Sequence, residues 1–147
     1  MVTLQDRVKL VKSESDRLKE YLTGLPSDAW SRASACDAWQ VRDVVGHLTW
    51  AAEGFADSIY RGVGGDASAQ APFDFSPGTA KASSLAEHIA QCAIDHREAL
   101  GDGLLAAFIT SSDRLNQAFS ELGPQDWDKQ CGFLSWRRTP ETFLLGR

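Results

Sequence analysis

LPSDAWSRASACDAWQVRDVVGHLTW, residues 25–50, decides how the rest of the chain is read. A Pro-Ser-Asp turn leads to Trp30, a small polar link runs to Trp39, and an apolar-periodic segment begins at Val41. Val41, Val44, Val45, Leu48, Ala52, Phe55 and Ile59 recur at the helical period, which predicts an amphipathic helix from Val41 to about Arg61. At about 100° per residue, His47 falls at the edge of that stripe beside Val44 and Ala51. Asp43 and Trp50 share its flank, close to one turn before and one turn after. Ser27 can cap a short helical turn before Trp30. The two tryptophans read as hydrophobic anchors pinning an irregular link onto a helical core.

Toward the N-terminus, Leu4, Val8, Val11, Leu18 and Leu22 lie on one helical face. Thr3 and Asp6 suit a capping box, and Gly24 followed by Pro26 suits a stop. Toward the C-terminus, Gly62, Gly64 and Gly65 end the second helix. Residues 62–83 then form a long connection rich in Gly, Ala, Ser and Pro. Phe73 and Phe75 in that connection either close over a pocket mouth like a lid or, more simply, tack a crossover loop down. Ser84 and Glu87 form a second capping box. A helical pattern then runs through Leu85, Ile89, Leu100, Leu104, Phe108, Leu115 and Phe119 to about Leu122. Unbroken, that helix would be about 55 Å long, so Gly101 and Gly103 are expected to kink or break it.

Beyond Leu122 the chain partly repeats itself. LGPQDW (122–127) echoes LPSDAW (25–30), and Trp127 to Trp136 has the spacing of Trp30 to Trp39. A fourth helix is therefore expected from Pro140, a residue suited to a first helical turn. The sequence ends before that helix would match the second in length. The expectation is one helical-bundle domain over 1–147, either naturally short or a C-terminally truncated fragment.

Composition fits an ordinary soluble domain, with 43% hydrophobic and 24% charged residues. A net charge of -5 argues against a nucleic-acid surface. No apolar run reaches membrane-spanning length, and MVTLQDRVKLVKSE lacks a signal-peptide core, so no membrane partner and a cytoplasmic location are expected. Cys36, Cys92 and Cys131 are odd in number and lack CxxC spacing, which speaks against a disulfide framework or a zinc ribbon. No P-loop, GxGxxG, GxSxG or HExxH is present.

ACDAWQVRDVVGHL, carrying Ala35, Cys36, Trp39, Val41, Arg42, Asp43, His47 and Leu48, resembles a segment of the DinB/YfiT-like superfamily. It is most similar to the mycothiol-dependent maleylpyruvate isomerase N-terminal (metal-binding) domain family, with Trp30 at the expected place upstream. The resemblance implies an all-α four-helix bundle with one long crossover, here with the fourth helix cut short. It also implies a divalent metal, zinc or nickel, held between helices with His47 as a ligand. In relatives the other ligands follow an arginine on helix four in an R-x-x-E-x-x-x-H-like pattern; Arg147 looks like that arginine. Gln40 departs from the Thr or Ser that relatives often carry as a helix cap. The implied cofactor is mycothiol or a similar thiol, whose sulfur the metal would hold as thiolate toward an electrophilic substrate.

His47, read from spacing alone, is an interior histidine satisfied by hydrogen bonds; only the resemblance makes it a metal ligand. Asp43 could orient its ring, although a solvated carboxylate at a helix N-terminus is the simpler reading. His88, Cys92 and His96 recur at i, i+4 and i+8, so only adjacent pairs could share a metal. Cys92 packed as a small hydrophobe is the simpler reading, with His96 retained as a candidate partner of His47. Cys36 has no nearby His or Lys in sequence and reads as a buried structural thiol. Trp50, with the Phe73–Phe75 loop, would line a cofactor pocket. Two functions follow. One is a metal- and thiol-dependent transferase or isomerase. The other is a non-catalytic dimerisation or ligand-binding module without metal, in which a homodimer covers the face left open by a short fourth helix.

Overall fold

A computed structural model describes residues 1–68 and 84–146. Among these the chain forms helices α1 (Leu4–Thr23), α2 (Val41–Val63), α3 (Leu85–Leu100), α4 (Leu104–Glu121) and the short α5 (Pro140–Leu145). The expected all-α bundle is observed. One hairpin is added, with β1 (Cys131–Phe133) antiparallel to β2 (Trp136–Arg138) and Phe133 opposite Trp136. Phe73 and Phe75 lie outside the described residues.

Local chemistry sets the helix ends. Thr3 Oγ1 accepts from Asp6 N–H at 3.1 Å while Asp6 Oδ2 accepts from Thr3 N–H at 2.9 Å, the reciprocal capping box. At the start of α2, Asp43 Oδ2 accepts from Gln40 N–H at 2.9 Å. Gly101 adopts φ of 52°, open to glycine at little strain. A 3-10 turn at Gly101–Gly103 follows, so the long helical pattern divides into α3 and α4 where the two glycines fall.

Helix α2 is the centre of the molecule. It packs on α3, α4 and β1, whereas α1 leans on α4 and α5. Ala52 and Ala56 are fully buried and let α4 approach with Leu115 and Phe119; Ile59, Trp127, Cys131 and Phe143 complete this core. A second cluster joins Leu22, Val45, Leu104 and Phe108. Burial of each such large side chain contributes about 1.5–3 kcal/mol. Gly46 permits a close approach of α2 and α3. A Cβ there would lie 2.8 Å from both Ala93 O and Arg97 Cβ.

The sequence echo has a structural counterpart. Ala33 and Gln40 form an antiparallel bridge ahead of α2, and β1–β2 does the same ahead of α5. The second unit is fastened to α2: Ser58 Oγ and Arg61 Nη2 both donate to Gly132 O, at 2.5 and 2.9 Å. Thr139 caps α5 by accepting from Thr142 N–H at 3.2 Å, and Pro140 opens it as expected. No helix among the described residues is long and apolar enough to cross a membrane.

Candidate functional site

The helical period of α2 places Asp43, His47 and Trp50 along one flank, and each is held by a different neighbour. Asp43 is 5% exposed. Its Oδ1 accepts from Arg97 Nε at 2.9 Å and pairs with Arg97 Nη2 at 2.8 Å, while Oδ2 holds the Gln40 amide. The expectation of a solvated carboxylate is therefore corrected. Gly46 draws α3 close enough for Arg97 to cover Asp43.

The His47 ring sits between two indoles, 5.5 Å from the Trp39 centroid and 6.2 Å from that of Trp50. Trp50 continues to Phe133 at 6.1 Å, and Phe133 meets Phe55 edge-on at 4.9 Å. This aromatic wall bounds a cavity of about 470 Å³, with His47, Trp50, Phe55 and Phe133 on one side. Leu10, Val11, Glu14 and Leu18 of α1 form the other side. Such a volume suits a small organic ligand, and its lining is mainly apolar with few polar groups. The contributions of α1 and Phe133 were not legible in sequence. The only hint for α1 was its apolar stripe, which any packed helix would show.

The other candidates lie elsewhere. His96 Nε2 is 3.1 Å from Glu53 Oε2 and does not line the His47 cavity. Cys92 Sγ contacts His88 Nε2 at 3.4 Å. Burial, helped by the Asp95 charge, raises the Cys92 thiol above its usual range, and burial lowers the His88 imidazole. Both groups are thus held neutral, as suits a packed thiol. Cys131 is buried, and burial pushes its thiol up as well. Cys36 is exposed rather than buried. It sits in a surface turn where its N–H donates to Ser34 Oγ at 3.0 Å, a tie that leaves the side chain outside.

A catalytic zinc needs about three protein ligands and an open position. Among the described residues no group of three or more His, Cys, Asp or Glu could hold a metal. His47 offers one donor, so these residues do not by themselves fit the ion, and no chemical step is assigned through it.

A helical bundle with its single histidine at the end of the Trp39–Val41–Arg42–Asp43 signature is a DinB/YfiT-like fold. Within that class, the chain belongs to the mycothiol maleylpyruvate isomerase N-terminal domain family, whose model matches residues 11–145. A crystal structure of the mycothiol-dependent maleylpyruvate isomerase superposes with a TM-score of 0.65 at 19% identity, covering 96% of this chain and 55% of that one. A histidine-to-alanine mutant of that isomerase gives the same TM-score and coverage at 18% identity. The chain thus spans about half the length of these structures. No curated protein matches it in sequence.

Proposed function

We propose that this chain is the thiol-receiving domain of a mycothiol-dependent enzyme, isomerase or transferase in type, and that the His47 cavity admits the thiol. The observation carrying this reading is the placement of the family-motif histidine in the wall of the apolar, aromatic-lined cavity. Trp39 and Trp50 fix the ring by packing. Trp50 would also contact the cofactor, and the apolar lining would keep water from the thiol and its electrophilic partner. His47 is proposed as one ligand of a divalent zinc or nickel ion, with the remaining ligands supplied from outside the described residues. A part for His96 requires it to exchange Glu53 for the metal. Wild-type zinc content in His96→Ala would remove it from the proposal.

The test is metal analysis of purified protein beside His47→Ala, with calorimetric titration of mycothiol and of glutathione. Zinc or nickel content that falls in His47→Ala, with binding of mycothiol over glutathione, is expected. A second reading, a metal-free dimerising or ligand-binding module in the cytoplasm, is favoured by the 60% exposure of Leu10 beside the same cavity. A well-folded, metal-free homodimer that ignores mycothiol would select it.

A further inference from the structure

A second cavity, of about 670 Å³, opens between the Ser27–Ser31 turn, the first turn of α2 and the α3–α4 break. It shares no lining residue with the His47 cavity. Leu25, Leu104, Leu105 and the half-buried Trp30 give it an apolar wall. Two guanidinium groups enter it, in different states. Arg97 is neutralised by Asp43 through the two contacts described above. Arg42 is half-buried, and its Nε is fixed by Gln40 Oε1 at 2.5 Å, a neutral acceptor. Among the described residues no carboxylate pairs with Arg42, although Glu98 and Asp102 line the same cavity as exposed groups.

A partly desolvated guanidinium held by Nε presents its outer N–H groups as a planar fork, whose best complement is a carboxylate taken bidentately. Phosphate shares that geometry. The two acidic side chains at the rim, however, repel a dianion about twice as strongly as a monoanion in the same place. The flat indole and the leucines beside the fork suit an aromatic or branched apolar body. We propose that this cavity is a binding site for small monocarboxylates with an apolar body, held by Arg42 and Trp30, separate from the His47 site. Because Arg42 adjoins Asp43 and precedes His47 on α2, an occupant would clamp the turn that carries the family motif.

The test is a titration of the isotope-labelled full chain with benzoate, benzylamine and phenyl phosphate, followed by two-dimensional NMR. The Trp30 indole signal is assigned with Trp30→Phe. Benzoate is expected to shift the Trp30 indole and Arg42 Nε signals saturably, with a Kd on the order of 1 mM. Arg42→Gln is expected to weaken it about tenfold or more, Arg42→Lys by less, and His47→Ala not at all. Backbone spectra of the variants that match wild type away from the cavity show that the fold is kept. The proposal is overturned if benzoate gives no saturable shift, if Arg42→Gln binds as wild type, or if either benzylamine or phenyl phosphate binds more tightly than benzoate.

Discussion

Replacing Asp43 with alanine removes a buried charge from the turn that begins α2, and the structure sets the size of the loss. The Asp43 and Arg97 side chains are 6% and 17% exposed. Deleting one member of a buried pair costs about 3–5 kcal/mol, because the other charge is left without compensation. Arg97 keeps some access to water, which favours the lower figure, whereas loss of the bond from the Gln40 amide adds about 1 kcal/mol. A net loss of about 4 kcal/mol is a large part of the roughly 5–15 kcal/mol that holds a domain together. With a urea slope of about 2 kcal/mol/M it lowers the unfolding midpoint by about 2 M, read by far-UV circular dichroism. Asp43→Asn keeps an acceptor for Gln40 and should fall between the two. Replacing both partners by leucine and methionine should recover much of the loss. A midpoint shift under about 0.3 M for Asp43→Ala, or additive losses in the Asp43→Ala/Arg97→Ala cycle, would refute the assignment of this pair as the fastening between α2 and α3.

Gly46→Ala should destabilise by about 1–3 kcal/mol through overpacking against Ala93 O, less about 1 kcal/mol regained in helix propensity, measured by the same urea titration. Burial holds His88 below its usual 6.5, so as pH falls the unfolded chain takes up a proton before the folded one. Stability is therefore full above about 6.5 and declines as pH drops below it, and His88→Gln should flatten that limb of the stability profile. Cys36 should react rapidly with a thiol reagent in the native protein, the half-buried Cys92 with its raised thiol pKa more slowly, and Cys131 only after unfolding; fast labelling of Cys131 would contradict its burial.

The features legible in the sequence were local ones. The Thr3–Asp6 box, the Val41 start, the Gly101 break and the Pro140 start each depend on residues within one turn of each other. The His47–Trp50 flank followed from periodicity alone. What escaped depends on distant partners. Arg97 reaches Asp43 from 54 positions away, and nothing in either neighbourhood signals the pairing. The hairpin was hidden because its turn places Leu134 at φ of 52° in place of the Asn or Gly that usually marks such a turn. The same hairpin brings Phe133 to Trp50 and Phe55, so the aromatic wall of the cavity was unreadable until the strands were placed. Cys36 was misjudged because the lack of a nearby His or Lys argued against a reactive thiol and burial was inferred from that, whereas the Ser34–Trp39 turn leaves it exposed.

The double hold on the Gly132 carbonyl also has a kinetic consequence. Ser58 reaches that oxygen across 74 positions of chain, so the hairpin and α5 can dock only after a long loop has closed. Closure entropy grows with the logarithm of loop length, and doubling the loop adds only about 0.6 kcal/mol. Final stability is thus nearly indifferent to the length of the 62–83 connection, whereas the rate of docking is not. Lengthening that connection should leave the unfolding midpoint almost in place and slow the last phase of refolding, in which Trp127 and Phe143 become buried.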